Sequence, residues 1–207
     1  MIKNIIFDFG GVIYDIDHER TKKAFANLGI HDFEQLYGHH IQTKLFEQLE
    51  RGEIKEQQFY HILRQSLKQN ISNEQIKDAW NAMLLGFDTR KIDLLKGLKN
   101  NYQLFLLSNT NSIHQKYFLK DLSSYVDFNS LFCDSWYSHE QNMRKPESRI
   151  YQTLLKKHEL IAQETLFIDD LDTNIEAAQA LGLQSYYLKN QESILSLFKG
   201  YIFNKTL

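Results

Sequence analysis

Residues 4–17 read NIIFDFGGVIYDID. Three apolar residues, Ile5, Ile6 and Phe7, run into Asp8, as in a buried strand that ends on a carboxylate. Two positions later stands Gly10, where a second carboxylate would make chemical sense. Whether one aspartate does the work of two depends on the rest of the chain.

Short apolar runs of the same kind recur as YQLFLLSN, SLFCDSWYS and TLFIDD, with QSYYLK as a weaker fifth. Helical patterns lie between them, including residues 111–120, 147–158 and 173–181, the last stopping before Gly182. Strands alternating with helices feed a parallel sheet, so the expected fold is a doubly wound α/β core. Between Asp15 and about Gly86 the texture changes to four amphipathic helical segments, HERTKKAFANLG, FEQLYGHHIQTKLFEQLERG, KEQQFYHILRQSLKQ and NEQIKDAWNAML, with no strand expected among them. Ser72, followed by Glu74 and Gln75, is the expected N-cap of the last. The expected division is therefore a core of residues 1–15 and 86–207 and an all-helical insertion of residues 16–85.

The 207 residues suffice for one such core with an insertion, and the net charge of −2, with both signs mixed throughout, offers no basic stripe for nucleic acid. The apolar run at the N-terminus is too short for a signal peptide and no later segment is long enough to span a bilayer, so the expectation is a soluble, cytoplasmic protein without membrane partners. The lone cysteine, Cys133, in LFCDSWY, is expected to be a small buried hydrophobe. His39 and His40 are adjacent and do not share a helix face, which argues against a metal site built on them. Trp136 and Tyr137 read as sheet packing and Trp80 as core of the helical insertion.

In an open parallel sheet, ligands gather at the carboxyl ends of the strands. Here those ends carry Asp8, then Ser108 and Asn109, then Asp169 and Asp170. Adjacent carboxylates after TLFI repel unless a cation or proton lies between them, and oxygen ligands of this kind suit Mg²⁺. Lys145, in MRKPES beside the chain's only proline, has a backbone biased toward extension, with Pro146 placed to open the next helix; it makes a good phosphate clamp. Arg144 next to it reads equally well as the partner of a surface carboxylate. A carboxylate nucleophile, a hydroxyl and amide, a lysine and an acidic pair are the parts phosphoryl transfer requires.

IIFDFGGV, LLSNTN, RKPE and FIDDLDTN, in this order and at these separations, resemble the four motifs of the haloacid dehalogenase superfamily, most closely its small bacterial sugar-phosphatase-like members with a helical cap after the first strand. The resemblance implies an aspartyl-phosphate nucleophile at Asp8, a phosphate-binding hydroxyl at Ser108 with Asn109 beside it, and a charge-neutralising lysine at Lys145. It implies Mg²⁺ held by Asp8, the Gly10 carbonyl and Asp170 directly and by Asp169 through water, with Asn174 in support. The helical segment would close over the site and select a small phosphorylated metabolite, with monomer and homodimer both open.

Gly10 departs from the pattern, since most phosphatases of the superfamily carry an aspartate there that moves protons to the leaving oxygen and from the attacking water. Asp15 or Asp17 would have to substitute, or be hinge and capping residues instead. Without an acid the expected esters are those with good leaving groups, sugar 1-phosphates ahead of 6-phosphates. Two other readings remain: a fold member that binds a phosphorylated ligand or partner with weakened turnover, and a 2-haloacid dehalogenase, against which the Asp169–Asp170 pair argues.

Overall fold

The structure is a computed structural model that describes residues 1–30, 40–67, 70–189 and 192–199, with the backbone alone for 40–43 and 66–67. Five parallel strands form its sheet: β1 (Asn4–Phe7), β4 (Gln103–Ser108), β5 (Asp134–Tyr137), β6 (Thr165–Asp169) and β7 (Gln184–Tyr187), in the spatial order β5-β4-β1-β6-β7. These are the five apolar runs, although the first two residues of SLFCDSWYS close a 3₁₀ turn, Phe128–Leu131, ahead of the strand.

Side-chain alternation divides each central strand between two cores. Ile5 and Phe7, Leu104 and Leu106, and Ile168 face one core; Ile6, Phe105 and Leu107, and Phe167 face the other. Helices α5 (Thr89–Leu98), α6 (Ser112–Leu122) and α10 (Ile194–Leu197) cover the first face through residues such as Leu95, Phe118 and Ile194. Helices α8 (Ser148–Lys157) and α9 (Asp172–Ala180) cover the second through Ile150, Leu154 and Ala178. The sheet is thus buried on both sides, which is why its central strands read as continuous apolar runs. Helix α5 was not singled out from the sequence, and the three helices that were lie within one or two residues of their expected bounds.

The chain leaves the core through β2 (Tyr14–Ile16) and returns through β3 (Leu84–Phe87), which pair antiparallel as a separate two-stranded ribbon with a bulge between Asp15 and Ile16. This corrects the expectation of no strand between Asp15 and Gly86: a four-residue strand whose partner lies about seventy residues away leaves no local signal. Between the two strands run α1 (His18–Asn27), α2 (His40–Glu50), α3 (Glu56–Leu67) and α4 (Asn73–Asn81). They bury a core of their own around Phe25, Phe46, Phe59, Leu63 and Trp80. Ser72 caps α4 in a reciprocal capping box with Gln75, as its sequence implies. His39 and the side chain of His40 lie outside the described residues.

Trp136 and Tyr137 are buried in the sheet as expected. Cys133 is exposed, against expectation. It precedes the edge strand β5 and its N–H bonds the Leu104 carbonyl at 2.7 Å, and among the described residues no further strand lies beyond that edge. Pro146 stands ahead of α8, not in its first turn, because Glu147 is the capping residue. No described helix is long and apolar enough to cross a membrane.

Candidate active site

Strand order brings the polar strand ends together. β1 lies between β4 and β6, so Asp8, one residue past β1, sits between Ser108 at the end of β4 and Asp169 at the end of β6. The ladder carries on to that point, with the Asp8 N–H donating to the Ile168 carbonyl at 2.9 Å. Chain connections also reverse direction here, where open α/β sheets form ligand crevices.

Lys145 enters from the segment between α7 (Ser138–Gln141) and α8, and is 1 % exposed. Its Nζ donates to Asp8 Oδ1 at 2.5 Å and to Asp169 Oδ2 at 2.6 Å. Asp169, fully buried, also accepts from the Leu171 N–H at 2.9 Å and from Asn174 Nδ2 at 3.0 Å on both oxygens. Asp170 completes the group: one carboxylate oxygen from each of Asp8, Asp169 and Asp170 lies within 4.8 Å of the others.

One buried ammonium among three carboxylates leaves excess negative charge. Burial, reinforced by Asp169 and Asp170 and opposed by Lys145, pushes the Asp8 carboxyl up to about 7. Burial and the neighbouring Asp169 push Asp170 up to about 6. Lys145, despite its own burial, is held above its usual value by Asp169 and Asp8. Carboxylates crowded this closely are what a divalent cation relieves, and the all-oxygen donor set fits Mg²⁺.

Two features of the site were not legible as such. Gly11, with φ of +76°, brings its Cα so close to Asp170 that a Cβ there would stand 2.1 Å from Oδ2, so the second glycine of the GG pair makes room for the carboxylate. The Asn109 side chain brackets the Lys145 backbone: Oδ1 accepts from its N–H at 2.9 Å and Nδ2 donates to its carbonyl at 2.8 Å. The loop that carries Lys145 is thereby tied to the end of β4. A GG doublet after the first strand was the available signal for the former; the latter left none.

The candidate substitutes for an acid at Gly10 go elsewhere. Asp15 pairs with Lys91 Nζ at 2.7 Å, and Asp17 caps α1 by accepting from the Glu19 N–H at 2.9 Å. At Gly10 itself an added Cβ would press on Ile16 Cδ1 at 3.3 Å, the flexible end of a side chain.

The helical insertion covers this edge. A small cavity of about 100 Å³ is lined by Gly10, Ser108 and Asn109 from the core and by Ile16, His18, Glu50, Trp80 and Met83 from the ribbon and insertion. His114 on α6 joins the two parts: Nε2 donates to the Trp80 carbonyl at 3.2 Å, Nδ1 accepts from Asn111 at 3.3 Å, and its ring stacks on the Trp80 indole with centroids 4.9 Å apart. Burial lowers its imidazole to about 4, consistent with that neutral, fully engaged form. Farther out, Arg144 bridges Glu47 at 3.2 Å and Glu50 at 3.0 Å on α2, Arg51 pairs with Glu147, and Lys116 meets Glu56 at 2.5 Å.

Comparison with known proteins agrees with this geometry. A D-ribitol-5-phosphate phosphatase of Bacteroides thetaiotaomicron is 35% identical over 197 residues, covering 92% of this chain and 93% of that protein. A crystal structure of a haloacid dehalogenase family enzyme from the same organism, 35% identical, superposes with a TM-score of 0.90 over 95% of this chain and 98% of the other. That enzyme has also been crystallised with magnesium and inorganic phosphate, where the match has a TM-score of 0.85 at 34% identity over 90% of this chain and 94% of the other. A predicted hydrolase of the same kind from Porphyromonas gingivalis is 29% identical with a TM-score of 0.89 over 98% of both chains. The model of haloacid dehalogenase-like hydrolases matches residues 2–182, which span β1, β4, β5 and β6 of the sheet but not β7. With the motifs, the sheet order and the relatives in agreement, the chain belongs to the haloacid dehalogenase-like hydrolase family.

Proposed function

We propose that the chain is a Mg²⁺-dependent phosphomonoesterase that works through an aspartyl-phosphate on a small phosphorylated metabolite. The observation that carries this reading is Lys145, buried and bonded to both Asp8 and Asp169, with Asp170 beside them. A lysine so placed holds the Asp8 carboxylate in one orientation and offsets charge as a phosphoryl group approaches. Asp8 Oδ2 is the oxygen left to attack phosphorus, since Oδ1 is taken by Lys145. Ser108 offers a hydroxyl to the phosphoryl oxygens, and Asn109 and Asn174 act as positioning residues, one for Lys145 and one for Asp169. Asp8, Asp170, the Gly10 carbonyl and, through water, Asp169 would hold Mg²⁺, which when bound offsets phosphate charge as the bond to the leaving oxygen breaks.

The division proposed is a catalytic core of residues 1–15 and 86–207 and a cap of residues 16–85. Its support is the insertion's own hydrophobic cluster, to which the core adds Ile113, and the small cavity beneath it. A cavity of about 100 Å³ with largely apolar walls suits a small leaving alcohol. Gly10 alone favours sugar 1-phosphates. The ribitol-5-phosphate phosphatase, by its name, acts on a primary alkyl ester, which supports adding polyol and sugar terminal phosphates to the candidates.

The test is phosphate release from a matched pair of 1- and 5-phosphates, with Mg²⁺ and with chelator. Release should require Mg²⁺ and should fall more than about 10⁴-fold in Asp8→Asn with the circular dichroism spectrum intact. Tight binding of inorganic phosphate and Mg²⁺ without turnover would instead favour the second reading, a ligand-binding member, which the loss of an acid at Gly10 supports.

A further inference from the structure

If primary alkyl esters are substrates, some side chain must deliver a proton to a poor leaving group, and Gly10 cannot. The described ionisable side chains that line the cavity containing Gly10, Ser108 and Asn109 are His18, Glu50 and His114. His114 is excluded because both of its ring nitrogens are engaged, one with Asn111 and one with the Trp80 carbonyl. Glu50 is turned to Arg144, whose Nη2 lies 3.0 Å from its carboxylate. Asp15 and Asp17, the remaining hinge carboxylates, serve Lys91 and the N-terminus of α1.

His18 is left, and its position is distinctive. It is the first residue of α1, immediately after the capping Asp17, where β2 hands the chain to the insertion. It lines the small cavity on the Ser108 side and also a wider, open one of about 910 Å³ whose wall includes Gly11 and Asp170. His18 is thus shared by the cavity that holds Ser108 and the one that holds Asp170, and it is exposed to water. Resting on the phosphatase reading above, we propose that His18 is the proton-transfer residue of this site, giving a proton to the leaving alkoxide and then taking one from the hydrolytic water.

The protons balance. In the first half, an Asp8 oxygen forms a bond to phosphorus, the ester P–O bond breaks, and imidazolium supplies the proton that turns the departing alkoxide into the alcohol. In the second, water attacks the phosphorus of the aspartyl-phosphate, neutral imidazole accepts its proton, and the P–O bond to Asp8 breaks to release hydrogen phosphate. Imidazolium is regenerated and no other reactant is consumed.

The environment suits a group that must act in both forms. Desolvation lowers the His18 imidazole from its usual value, with Lys22 in the same direction and Asp17 and Glu19 opposing. It shares the small cavity with His114, held neutral by burial, and with Glu50 of α2, and the wider one with Asp170 and the Asp15–Lys91 and Asp88–Arg90 pairs. A phosphate dianion in that space pulls the imidazole upward, into the range where acid and base forms both exist near neutral pH.

The experiment compares the parent, His18→Gln and His18→Ala at saturating Mg²⁺ on D-ribitol 5-phosphate and p-nitrophenyl phosphate, whose leaving group needs no proton. His18→Gln should lower kcat on the alkyl ester by about 10²-fold or more and flatten its pH profile. On the nitrophenyl ester it should leave the first turnover fast and slow the steady state, giving a burst in rapid-quench traces. Added imidazole should restore part of the rate of His18→Ala through the open cavity. A kcat and pH profile on the alkyl ester within about twofold of the parent, with no burst and no rescue, would overturn the assignment to His18 and leave the phosphatase reading standing. A parent with no Mg²⁺-dependent release from either ester would remove that reading and the assignment with it.

Discussion

Arg144 and Lys145 are neighbours in sequence, carry the same charge and each bind two carboxylates, yet they belong to different physical regimes. Lys145 lies inside the core, bonded to Asp8 and Asp169, and all three side chains are nearly or fully buried. Arg144 points the other way, into the seam between core and insertion, where its partners Glu47 and Glu50 and its own side chain keep between a fifth and two fifths of their surface in solvent. Removing one member of a buried, hydrogen-bonded pair strands the other charge, whereas water and salt absorb most of the loss at a seam. Catalytic geometry is held by the first kind of contact; the position of the insertion is trimmed by the second.

The largest effect is expected at Lys145. Lys145→Met leaves three carboxylates with no cation among them and should cost about 3–5 kcal/mol of metal-free stability in urea titrations, part of it returned by Mg²⁺. A loss below about 1 kcal/mol would mean that the buried pair behaves like the seam.

The two adjacent glycines sharpen the same contrast between crowded and open ground. Gly11→Ala meets both a positive φ and the Asp170 carboxylate, and should destabilise the fold by about 1–3 kcal/mol while weakening Mg²⁺ affinity. Gly10→Ala needs Ile16 to shift by only a few tenths of an ångström and should cost less than half as much; isothermal titration with Mg²⁺ and thermal melts of the two variants check the order.

Next comes pH. Asp8, pushed up to about 7, and Asp170, pushed up to about 6, both hold protons in the folded state at pH values where the unfolded chain has released them. Folded protein then binds more protons than unfolded, so metal-free stability should be greatest near pH 4 with respect to these two groups and fall as pH rises to about 7. Mg²⁺ should stabilise the protein more at pH 7.5 than at pH 5, as measured by the shift in melting temperature on adding the ion. A metal-independent, flat profile between those values would contradict the charge imbalance.

The smallest effect is expected at the seam. Arg144→Gln should change stability by less than about 1 kcal/mol, and the loss should shrink further in high salt, while the change in Lys145→Met persists there. Equal salt sensitivity of the two variants would erase the distinction.

What the chain announces in its own residues is what short-range physics encodes. Apolar runs of four to six residues closed by Asp8, Ser108 and Asp169 mark buried parallel strands and the edge where their polar ends collect, and the Ser72–Gln75 capping box marks the start of a helix, because each depends on residues only a few positions apart. Burial of Trp136, Tyr137 and Trp80 followed from the same reasoning.

Tertiary structure alone decided which polar groups meet. Asn109 was readable as a strand-end amide, but its engagement with the Lys145 backbone 36 residues away follows from the loop before α8 crossing the end of β4. Asp15 was a plausible proton donor until Lys91, 76 residues on, took its carboxylate. The Gly11–Asp170 approach arises because β1 and β6 are neighbours, and Cys133 is exposed beside β5, an edge strand among the described residues. A side chain's hydrogen-bonding type is a property of the residue, whereas its partner is set by strand order and crossover geometry, which only the packed chain supplies.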